Sequence, residues 1–570
     1  MIKSLCVTVS LLAVGIQAAV DIQKACQKST FESVLDDKST IERVDVVNKG
    51  DEYGEGKSNV AYPRHPTDLP ELCAVTVKVE SSATTSYRFG LFLPTEWNSK
   101  RLTVGNGGFA GGINWLDMAP GAKHGFATAS TDTGHSSNAT DASWALNDEE
   151  SRIDWGWRAL HGTVGRSKEL VEAYYSDAPG FSYYSGCSTG GRQGLRELQG
   201  FPDSFDGAII GAAAWNPPQL NSYLLQLGLS NLPADDPKHI DIDKVKAIAG
   251  EVVKQCDGLD GVEDGIISSP ELCDVDLEAI SCDKDGVDPA KCLTEPQMDT
   301  VRKAYEDFYV DGKFSWSGFN PGSEAQLPLV LGADIPSGYG IQFQTYFVHN
   351  DPKWSWRDFN NGMITTAVAK NPGKTRADRY NLADFKSRGG KIIMYHGTAD
   401  GLVPTRGSEV YYNRVSDAMG GPPTDFFRYF PVPGMQHCWT TAVDAPWHFG
   451  APFQAGAIGN DTWSVPGFND AKHDVLLALV DWVEEGKPVD SLIATTWKVA
   501  NDSDSGLLRQ RPLCPHPEKA IYDGKGDVNK AESWACGIVN AEEEDDGVSR
   551  RPAAVIVSLC AAIAISFLAF

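Results

Sequence analysis

The segment Gly186-Cys187-Ser188-Thr189-Gly190 decides the fold class, because it has the G-x-S-x-G spacing of a nucleophile elbow, a strained turn from a strand into a helix. A second segment, Gly434-Met435-Gln436-His437-Cys438, places a cysteine directly after a histidine. A nucleophilic serine and its histidine base lie about 2.6–3.2 Å apart. Their neighbours Cys187 and Cys438 are therefore expected within the Cα separation of about 4.4–6.8 Å that a disulfide needs. The two segments predict a catalytic pair with a disulfide bond across it.

Three polar residues follow one another in the order of a hydrolase triad. Asp400 follows an apolar strand predicted at 391–395, and His437 follows one predicted at 426–432. The order Ser188, Asp400, His437 is that of α/β hydrolases, whose ligands bind beyond the carboxyl ends of the strands. The predicted roles are attack on an acyl carbon by Ser188, proton transfer by His437, and control of the imidazole tautomer by Asp400.

A glycine-rich loop at 105–112 directly follows a strand predicted at 102–105. The tetrahedral intermediate of acyl transfer needs preorganised N–H donors, and the backbone N–H of the residue after the nucleophile, Thr189, is the first expected one. Gly107 and Gly108 are the candidates for the second donor. The alternative interpretation of this loop is a flexible turn.

The elements around these motifs alternate between strands and helices, which is an α/β pattern. Strands are predicted at 75–79, 87–93, 102–105, 181–185, 207–214, 391–395 and 426–432, and a helix at 191–198. The alternation stops between residues 216 and 386, a stretch with four cysteines and the aromatic segment Trp354-Ser355-Trp356. We therefore predict an α/β-hydrolase core at 20–215 and 387–536 with an inserted lid domain at 216–386.

The composition excludes some partners. The 570 residues are 42% hydrophobic and carry a net charge of −26, which argues against nucleic-acid binding. Fifteen tryptophans indicate an apolar or aromatic binding cleft, although core packing explains most of them.

Residues 1–19 have the pattern of a secretory signal peptide, with Lys3, an apolar run at 5–16 and small residues at Ala18 and Ala19. Of the 12 cysteines, Cys6 lies in this segment and Cys560 in the C-terminal tail, which leaves ten. An even number in an exported chain predicts five disulfides. The N-glycosylation motifs begin at Asn138, Asn460 and Asn501.

Residues 537–570 form an acidic spacer and a hydrophobic tail, of which 553–570 is apolar or small throughout. A polar spacer followed by such a tail is typical of a signal for a glycosylphosphatidylinositol (GPI) anchor, with Asn540 as the attachment site. A retained membrane tail and a packed terminal helix are the alternatives.

Four motifs together resemble the fungal tannase/feruloyl esterase B family. They lie at 183–194, 130–135, 396–401 and 434–438. The resemblance extends from about Cys26 to Cys536 and implies a secreted serine esterase with an α/β-hydrolase core and a large lid. By this resemblance Ser188 is the nucleophile, Asp400 and His437 are its partners, and the disulfide Cys187–Cys438 is structural.

The acidic loop that begins at Cys256 carries Asp257, Asp260 and Asp264 among glycines, a ligand set suited to Ca²⁺. The loop lacks the acidic third position of an EF-hand. The family resemblance adds the backbone carbonyls of Val262 and Ile266 as ligands of a structural calcium ion. A solvated acidic turn is the alternative.

The remaining disulfide predictions depend on proximity and on the family pattern. They are Cys26–Cys73, Cys256–Cys273, Cys282–Cys292 and Cys514–Cys536. A zinc site is disfavoured, because the chain has no C-x₂-C spacing.

The sequence thus predicts a carboxylic ester hydrolase that cleaves aromatic acyl esters, most of all feruloyl or other hydroxycinnamoyl esters of plant cell-wall polysaccharides. A tannase that acts on galloyl esters is the first alternative. A serine peptidase and a surface-anchored, calcium-binding adhesion protein on an inactive esterase scaffold are the others.

Overall fold

A nine-stranded mixed sheet forms the centre of the protein. The computed structural model describes residues 21–332, 334–459 and 464–538. The strands in these ranges are β1 (Ser39–Val47), β2 (Leu72–Glu80), β3 (Ser86–Pro94), β4 (Lys100–Val104), β5 (Ala127–Thr131), β6 (Phe181–Cys187), β7 (Gly207–Gly211), β8 (Phe308–Val310), β9 (Lys313–Trp316), β10 (Lys391–Gly397), β11 (Phe427–Val432), β12 (Leu492–Val499), β13 (Asp502–Leu513), β14 (Lys519–Tyr522) and β15 (Trp534–Gly537). The order in the large sheet is β1-β2-β3-β5-β4-β6-β7-β10-β11.

The pairing of these strands is antiparallel from β1 to β5 and parallel from β5 to β11. The strands β8–β9, β12–β13 and β14–β15 form separate two-stranded sheets. The parallel part directs the carboxyl ends of β4, β6, β7, β10 and β11 to one edge, where binding sites of doubly wound sheets lie.

The helices cover both faces of the sheet. They are α1 (Ile22–Ala25), α2 (Lys28–Glu32), α3 (Trp115–Lys123), α4 (Glu149–Ile153), α5 (Ala159–Tyr175), α6 (Thr189–Gly200), α7 (Pro217–Ser230), α8 (Ile242–Cys256), α9 (Glu295–Tyr305), α10 (Pro328–Leu331), α11 (Gly338–Gln342), α12 (Asn361–Lys370), α13 (Ala383–Ser387), α14 (Arg406–Met419), α15 (Gln454–Ile458) and α16 (Val475–Glu485). Two π-helical turns, Asp154–Arg158 and Phe343–His349, follow α4 and α11. None of the helices in the described ranges is long and apolar enough to cross a bilayer.

Successive residues of strand β6 pack into the cores on opposite faces of the sheet. Tyr183 of β6 packs in the cluster that contains Met118 of α3 and Leu479 of α16. Its neighbour Tyr184 packs in the opposite cluster with Leu195 of α6. Because successive strand side chains point to opposite faces, a strand that is covered on both faces is buried at every position.

The structure has an α/β-hydrolase arrangement, as predicted, with three local corrections. The strand predicted at 207–214 ends at Gly211, because Ala212 has φ +34°, outside the extended region. The helix predicted at 191–198 begins earlier, at Thr189. The sheet strands β1 and β5 were not predicted. Strand β5 reads Ala-Thr-Ala-Ser-Thr and is buried throughout, but it is short and contains no large apolar side chain.

The described residues between β7 and β10 add no strand to the nine-stranded sheet. It contributes α7 to α13 and the β8–β9 hairpin, and Trp316 of β9 packs against Trp215 with ring centroids 4.7 Å apart. The division into a core and a lid at 216–386 stays a prediction.

Five disulfide bonds join the pairs expected from the sequence. They are Cys26–Cys73, Cys187–Cys438, Cys256–Cys273, Cys282–Cys292 and Cys514–Cys536. The predicted signal peptide, the Asn460 glycosylation site and the tail after residue 538 lie outside the described residues.

Candidate active site

Ser188 lies at the turn between β6 and α6 with φ +62° and ψ −123°. A non-glycine residue in this region costs about 1–3 kcal/mol, so the surrounding structure must hold it there. The Ser188 amide donates to the Gly211 carbonyl at 3.0 Å, and the Ala214 amide donates to the Ser188 carbonyl at 3.2 Å. The strained turn raises the hydroxyl above the sheet edge, as the elbow motif predicts.

The two flanking glycines are required by close backbone approach. A Cβ on Gly186 would lie 2.7 Å from the Tyr184 hydroxyl and 2.8 Å from the Gly190 carbonyl carbon. A Cβ on Gly190 would lie 3.1 Å from the Asn106 carbonyl oxygen. The glycine-rich loop 105–112 therefore packs directly on the elbow.

The three predicted triad residues meet in a hydrogen-bonded chain. His437 Nε2 lies 2.9 Å from Ser188 Oγ, and His437 Nδ1 lies 2.6 Å from Asp400 Oδ2. With the proton on Nδ1, the ring donates to Asp400 and accepts from the serine hydroxyl. This is the arrangement that a general base needs to activate a serine.

Asp400 is fully buried, and its two oxygens have different partners. Oδ1 accepts from the amides of Leu402 and Val403, both at 2.8 Å. Oδ2 lies 2.9 Å from His396 Nε2 as well as 2.6 Å from the His437 ring. Burial by itself raises the pKa of the Asp400 carboxyl, but the charge of His437 and hydrogen bonds from His396 and His437 outweigh it and hold that pKa well below its usual range.

Two residues with positioning contacts were not assigned by the sequence. His396 is fully buried and also lies 2.8 Å from Ser408 Oγ through Nδ1, so its contact with Asp400 Oδ2 is fixed at both ring nitrogens. Its place in the motif at 396–401 was the available signal. Gln326 Oε1 accepts from the amides of Gly401 and His437, both at 3.1 Å. No local pattern marks Gln326, because its partners are 75 and 111 positions away.

A cavity of about 40 Å³ opens beside Ser188. Its lining comprises Gly108, Phe109, Trp155, Ser188, Thr189, Ala214, Pro217, Leu220, Asn221, Leu224, Tyr339, Leu402 and Val403. Most of these side chains are apolar and three are aromatic. The lining therefore offers apolar and aromatic contacts next to the serine hydroxyl.

The two glycines predicted as oxyanion donors differ in their surroundings. The Gly107 amide donates to the Tyr62 hydroxyl at 3.0 Å, so it is already engaged. Gly108 has φ +52° and lines the cavity with Thr189, and its amide has no protein acceptor within the described ranges. The prediction for Gly107 is thus not favoured by the geometry, while Gly108 and Thr189 stay predicted donors.

The glycine-rich loop is fixed to α6 rather than flexible. Gln193 Oε1 accepts from the Asn106 amide at 3.0 Å, and Gln193 Nε2 donates to Asn106 Oδ1 at 3.2 Å. Both residues are buried. A polar pair that is satisfied in this way holds the loop in one position against the elbow.

The Cys187–Cys438 bond connects the elbow to the histidine loop. Its Cα atoms are 6.1 Å apart, it closes a separation of 251 residues, and both cysteines are buried. In the entropic model such a bond contributes up to about 5 kcal/mol. Because it joins the neighbours of Ser188 and His437, it also limits their relative movement.

Replacing both Cys187 and Cys438 by serine is therefore expected to lower the melting temperature and to reduce kcat by about 10-fold or more, since small displacements of reacting groups are costly. The measurements are the initial rate of ester hydrolysis and the melting temperature, for this double variant and for a control double variant. The matched control replaces Cys282 and Cys292, which close only 10 residues outside the site and should leave kcat unchanged. Equal kcat in both double variants would contradict the positioning role.

The five predicted calcium ligands lie between residues 257 and 266, in the 3₁₀ helix Asp257–Asp260 and the loop after it. Asp257 Oδ1 accepts from the Ile266 amide at 3.1 Å, and Asp264 Oδ2 is paired with Arg511 Nη2 at 2.5 Å. Asp260 Oδ2 is buried without a hydrogen-bond partner among the described residues. In the same ranges no group of three or more His, Cys, Asp or Glu side chains is gathered as a metal site. The unpartnered oxygen of Asp260 fits a cation, whereas Asp257 and Asp264 are also engaged by the protein.

Two of the glycosylation predictions lie on the surface. Asn138 and Asn501 are exposed, which a modified asparagine requires. Their modification stays a prediction.

The resemblance to the tannase/feruloyl esterase B family agrees with a comparison to known proteins. The family model described as "Tannase and feruloyl esterase" matches residues 73–330 and 355–537. The chain belongs to the tannase and feruloyl esterase family. As a member of this family it is a carboxylic ester hydrolase.

Named relatives of this esterase cover most of its length. A "Probable feruloyl esterase B-1" of Aspergillus flavus is 32% identical over 508 residues, which are 87% of this chain and 92% of that relative. A "Probable feruloyl esterase B" of Aspergillus niger is 30% identical over 93% of this chain and 98% of that relative.

Solved structures of two esterases superpose on most of the chain. Feruloyl esterase B from Aspergillus oryzae superposes with a TM-score of 0.82 at 31% identity and covers 90% of this chain and 100% of that structure. A tannin acyl hydrolase from Aspergillus niger has a TM-score of 0.70 at 20% identity over 92% of this chain and 96% of that structure, which shows the shared fold alone.

Proposed function

We propose that this esterase hydrolyses feruloyl or related hydroxycinnamoyl esters of plant cell-wall polysaccharides through an acyl-enzyme on Ser188. The observation that carries the proposal is the hydrogen-bonded chain Ser188–His437–Asp400 beside a cavity with aromatic walls. The names of the relatives, feruloyl esterases at 30–32% identity, support the acyl group.

In the proposed reaction, Ser188 Oγ attacks the ester carbonyl carbon while His437 Nε2 takes the hydroxyl proton. The ring then carries a positive charge, which the ionised and buried Asp400 stabilises through its contact with Nδ1. The amides of Gly108 and Thr189 donate to the oxyanion. His437 returns the proton to the leaving alcohol oxygen, and a water molecule then cleaves the acyl-enzyme by the same steps.

The alternatives have less support. A galloyl ester substrate is favoured only by the shared family, whose description names tannase beside feruloyl esterase. The adhesion-protein hypothesis is not favoured, because the triad side chains lie within hydrogen-bond distance of one another.

The proposal is tested by initial rates of the purified mature chain on methyl ferulate, methyl caffeate, methyl gallate and a simple aliphatic ester. We expect the highest kcat/KM for the two cinnamates. A preference for methyl gallate would replace the proposal with the tannase alternative, and no hydrolysis of any ester by the folded protein would reject it.

We further propose that the enzyme acts outside the cell. Five disulfide bonds are typical of proteins from oxidising compartments. The signal peptide and the GPI anchor stay predictions from the sequence.

We also propose that Ca²⁺ is held by the side chains of Asp257, Asp260 and Asp264 and the carbonyls of Val262 and Ile266. A hard cation would neutralise the unpartnered Asp260 oxygen and brace the acidic loop. Its role in this proposal is structural, and no catalytic step uses it.

Removal of calcium with a chelator is expected to lower the melting temperature, because a ligand at about 100 times its Kd stabilises the native state by about 2.7 kcal/mol. The shift should be smaller in Asp260→Asn than in the wild type. The control Asp274→Asn changes an exposed carboxylate nearby and should keep the full shift. Metal analysis that finds no calcium in the native protein would reject the site.

A further inference from the structure

Tyr339 brings an aromatic side chain from the inserted stretch into the cavity beside Ser188. It belongs to α11 and lies between the two ranges that the family model matches, 73–330 and 355–537. The nucleophile, the predicted oxyanion donors and most of the apolar wall all lie inside those ranges. Tyr339 is therefore the part of the cavity wall that the shared family pattern does not account for.

The ring of Tyr339 is held by contacts close to the reacting groups. Its centroid lies 5.9 Å from that of Phe109, the residue after the predicted oxyanion donor Gly108. Phe109 in turn packs against Trp155 at 5.6 Å and against Phe347 at 5.8 Å. These contacts place Tyr339 on the same aromatic wall as Trp155.

The polar groups of this wall differ in what they already bind. Asn221 Nδ2 donates to the Pro217 carbonyl at 3.0 Å. In the described part of the chain the Tyr339 hydroxyl makes no hydrogen bond, and burial is the one influence on its pKa. The buried indole N–H of Trp155 has no hydrogen-bond partner there either. An aromatic wall with unused polar groups suits a ring that carries hydroxyl or methoxy substituents.

The small size of the cavity also indicates a role for Tyr339. Pockets for small organic ligands usually measure about 300–1,000 Å³, so the cavity of about 40 Å³ must widen to admit an aromatic acyl group. Tyr339 and Leu402 are the half-buried large side chains of the lining, while Phe109, Trp155 and the other large ones are buried. Tyr339 is thus the partly exposed side chain of the wall that carries a polar group.

We propose that the Tyr339 hydroxyl hydrogen-bonds the ring substituents of the acyl group and thereby determines which aromatic esters are preferred. This inference rests on the proposed esterase function and deepens it. Burial raises the pKa of Tyr339, so at neutral pH the hydroxyl is protonated and can donate to a methoxy or phenolic oxygen or accept from a phenol. An ester without a ring substituent gains nothing from this contact.

The test compares kcat/KM of the wild type and Tyr339→Phe on methyl caffeate, methyl ferulate and unsubstituted methyl cinnamate. Phenylalanine keeps the ring and its packing and removes only the hydroxyl. We expect a fall of about 10-fold for the two substituted esters, the size of one lost hydrogen bond to a buried polar group, and little change for methyl cinnamate. The preference of the enzyme for substituted rings should therefore decrease.

The control is Tyr346→Phe, a tyrosine of the adjoining π-helical turn that is outside the cavity lining. It should keep the wild-type preference. An equal change on all three esters, or no change, would overturn the role of the hydroxyl. A wild type that cleaves aliphatic but no aromatic esters would reject the proposed function itself, whereas normal wild-type activity with an unaltered preference in Tyr339→Phe would reject only this inference.

Discussion

Replacing Ser188 by alanine is expected to reduce kcat for ester hydrolysis by about 10⁴–10⁶-fold, since the acyl-enzyme cannot form without the hydroxyl. The variant should fold normally, because the Ser188 side chain contacts His437 whereas its backbone makes the bonds that hold the turn. It should still bind methyl ferulate. The measurement is single-turnover and steady-state hydrolysis beside ligand binding.

The matched control is Ser185→Ala, in the same strand β6 and three residues before the nucleophile. It should retain most of the wild-type kcat. If Ser188→Ala kept more than about one-tenth of the turnover, a nucleophile at this position would be rejected, since losses at such residues are far larger.

Changing Asp400 to asparagine is expected to lower kcat by about 10⁴-fold. The Oδ1 contacts to the amides of Leu402 and Val403 can persist, but an NH₂ group would face the His437 ring nitrogen in place of Oδ2. The ring would then have to present Nδ1 as an acceptor, which puts its proton on Nε2 toward the serine. The result is a correctly placed histidine in the wrong tautomer.

The loss should be largest near neutral pH. Because the Asp400 pKa is held well below its usual range, the wild type keeps this carboxylate ionised down to acidic pH, and lowering the pH should not mimic the asparagine variant. The control Asp474→Asn alters another buried carboxylate, which caps α16 and lies 3.2 Å from His124 Nε2. It should change stability while kcat stays near the wild-type value, and a comparable loss of kcat in both variants would contradict the specific role of Asp400.

The local parts of the site were predictable from the sequence because each is fixed by a short motif. The elbow needs glycine on both sides of Ser188 for a backbone approach of a few ångströms, and this requirement is visible in five consecutive residues. The chain order of Asp400 and His437 then follows from the order of the parallel strands. The cysteines beside Ser188 and His437 made the Cys187–Cys438 bond predictable as well.

The remaining parts depend on contacts between distant segments. Gln326 and Tyr339 come from the inserted stretch, where no periodic pattern relates them to the elbow. Gly107 and Gly108 are the same residue type in the sequence, and they are separated by the Gly107 hydrogen bond to Tyr62 and by the place of Gly108 in the cavity lining. Strand β5 was missed because it is short and its side chains are Ala, Ser and Thr, without the large apolar residues that mark a buried strand in a sequence.

The contact of Gln326 has a consequence for exchanging segments between related enzymes. Gln326 Oε1, from the inserted stretch, accepts a hydrogen bond from the loop that carries Asp400 and another from the loop that carries His437. A chimera that takes this stretch from another family member replaces part of the cavity wall beside Ser188. It also replaces the side chain that holds the Asp400 and His437 loops. Selectivity and turnover should therefore change together in such chimeras unless the donor stretch brings an acceptor to the place of Gln326.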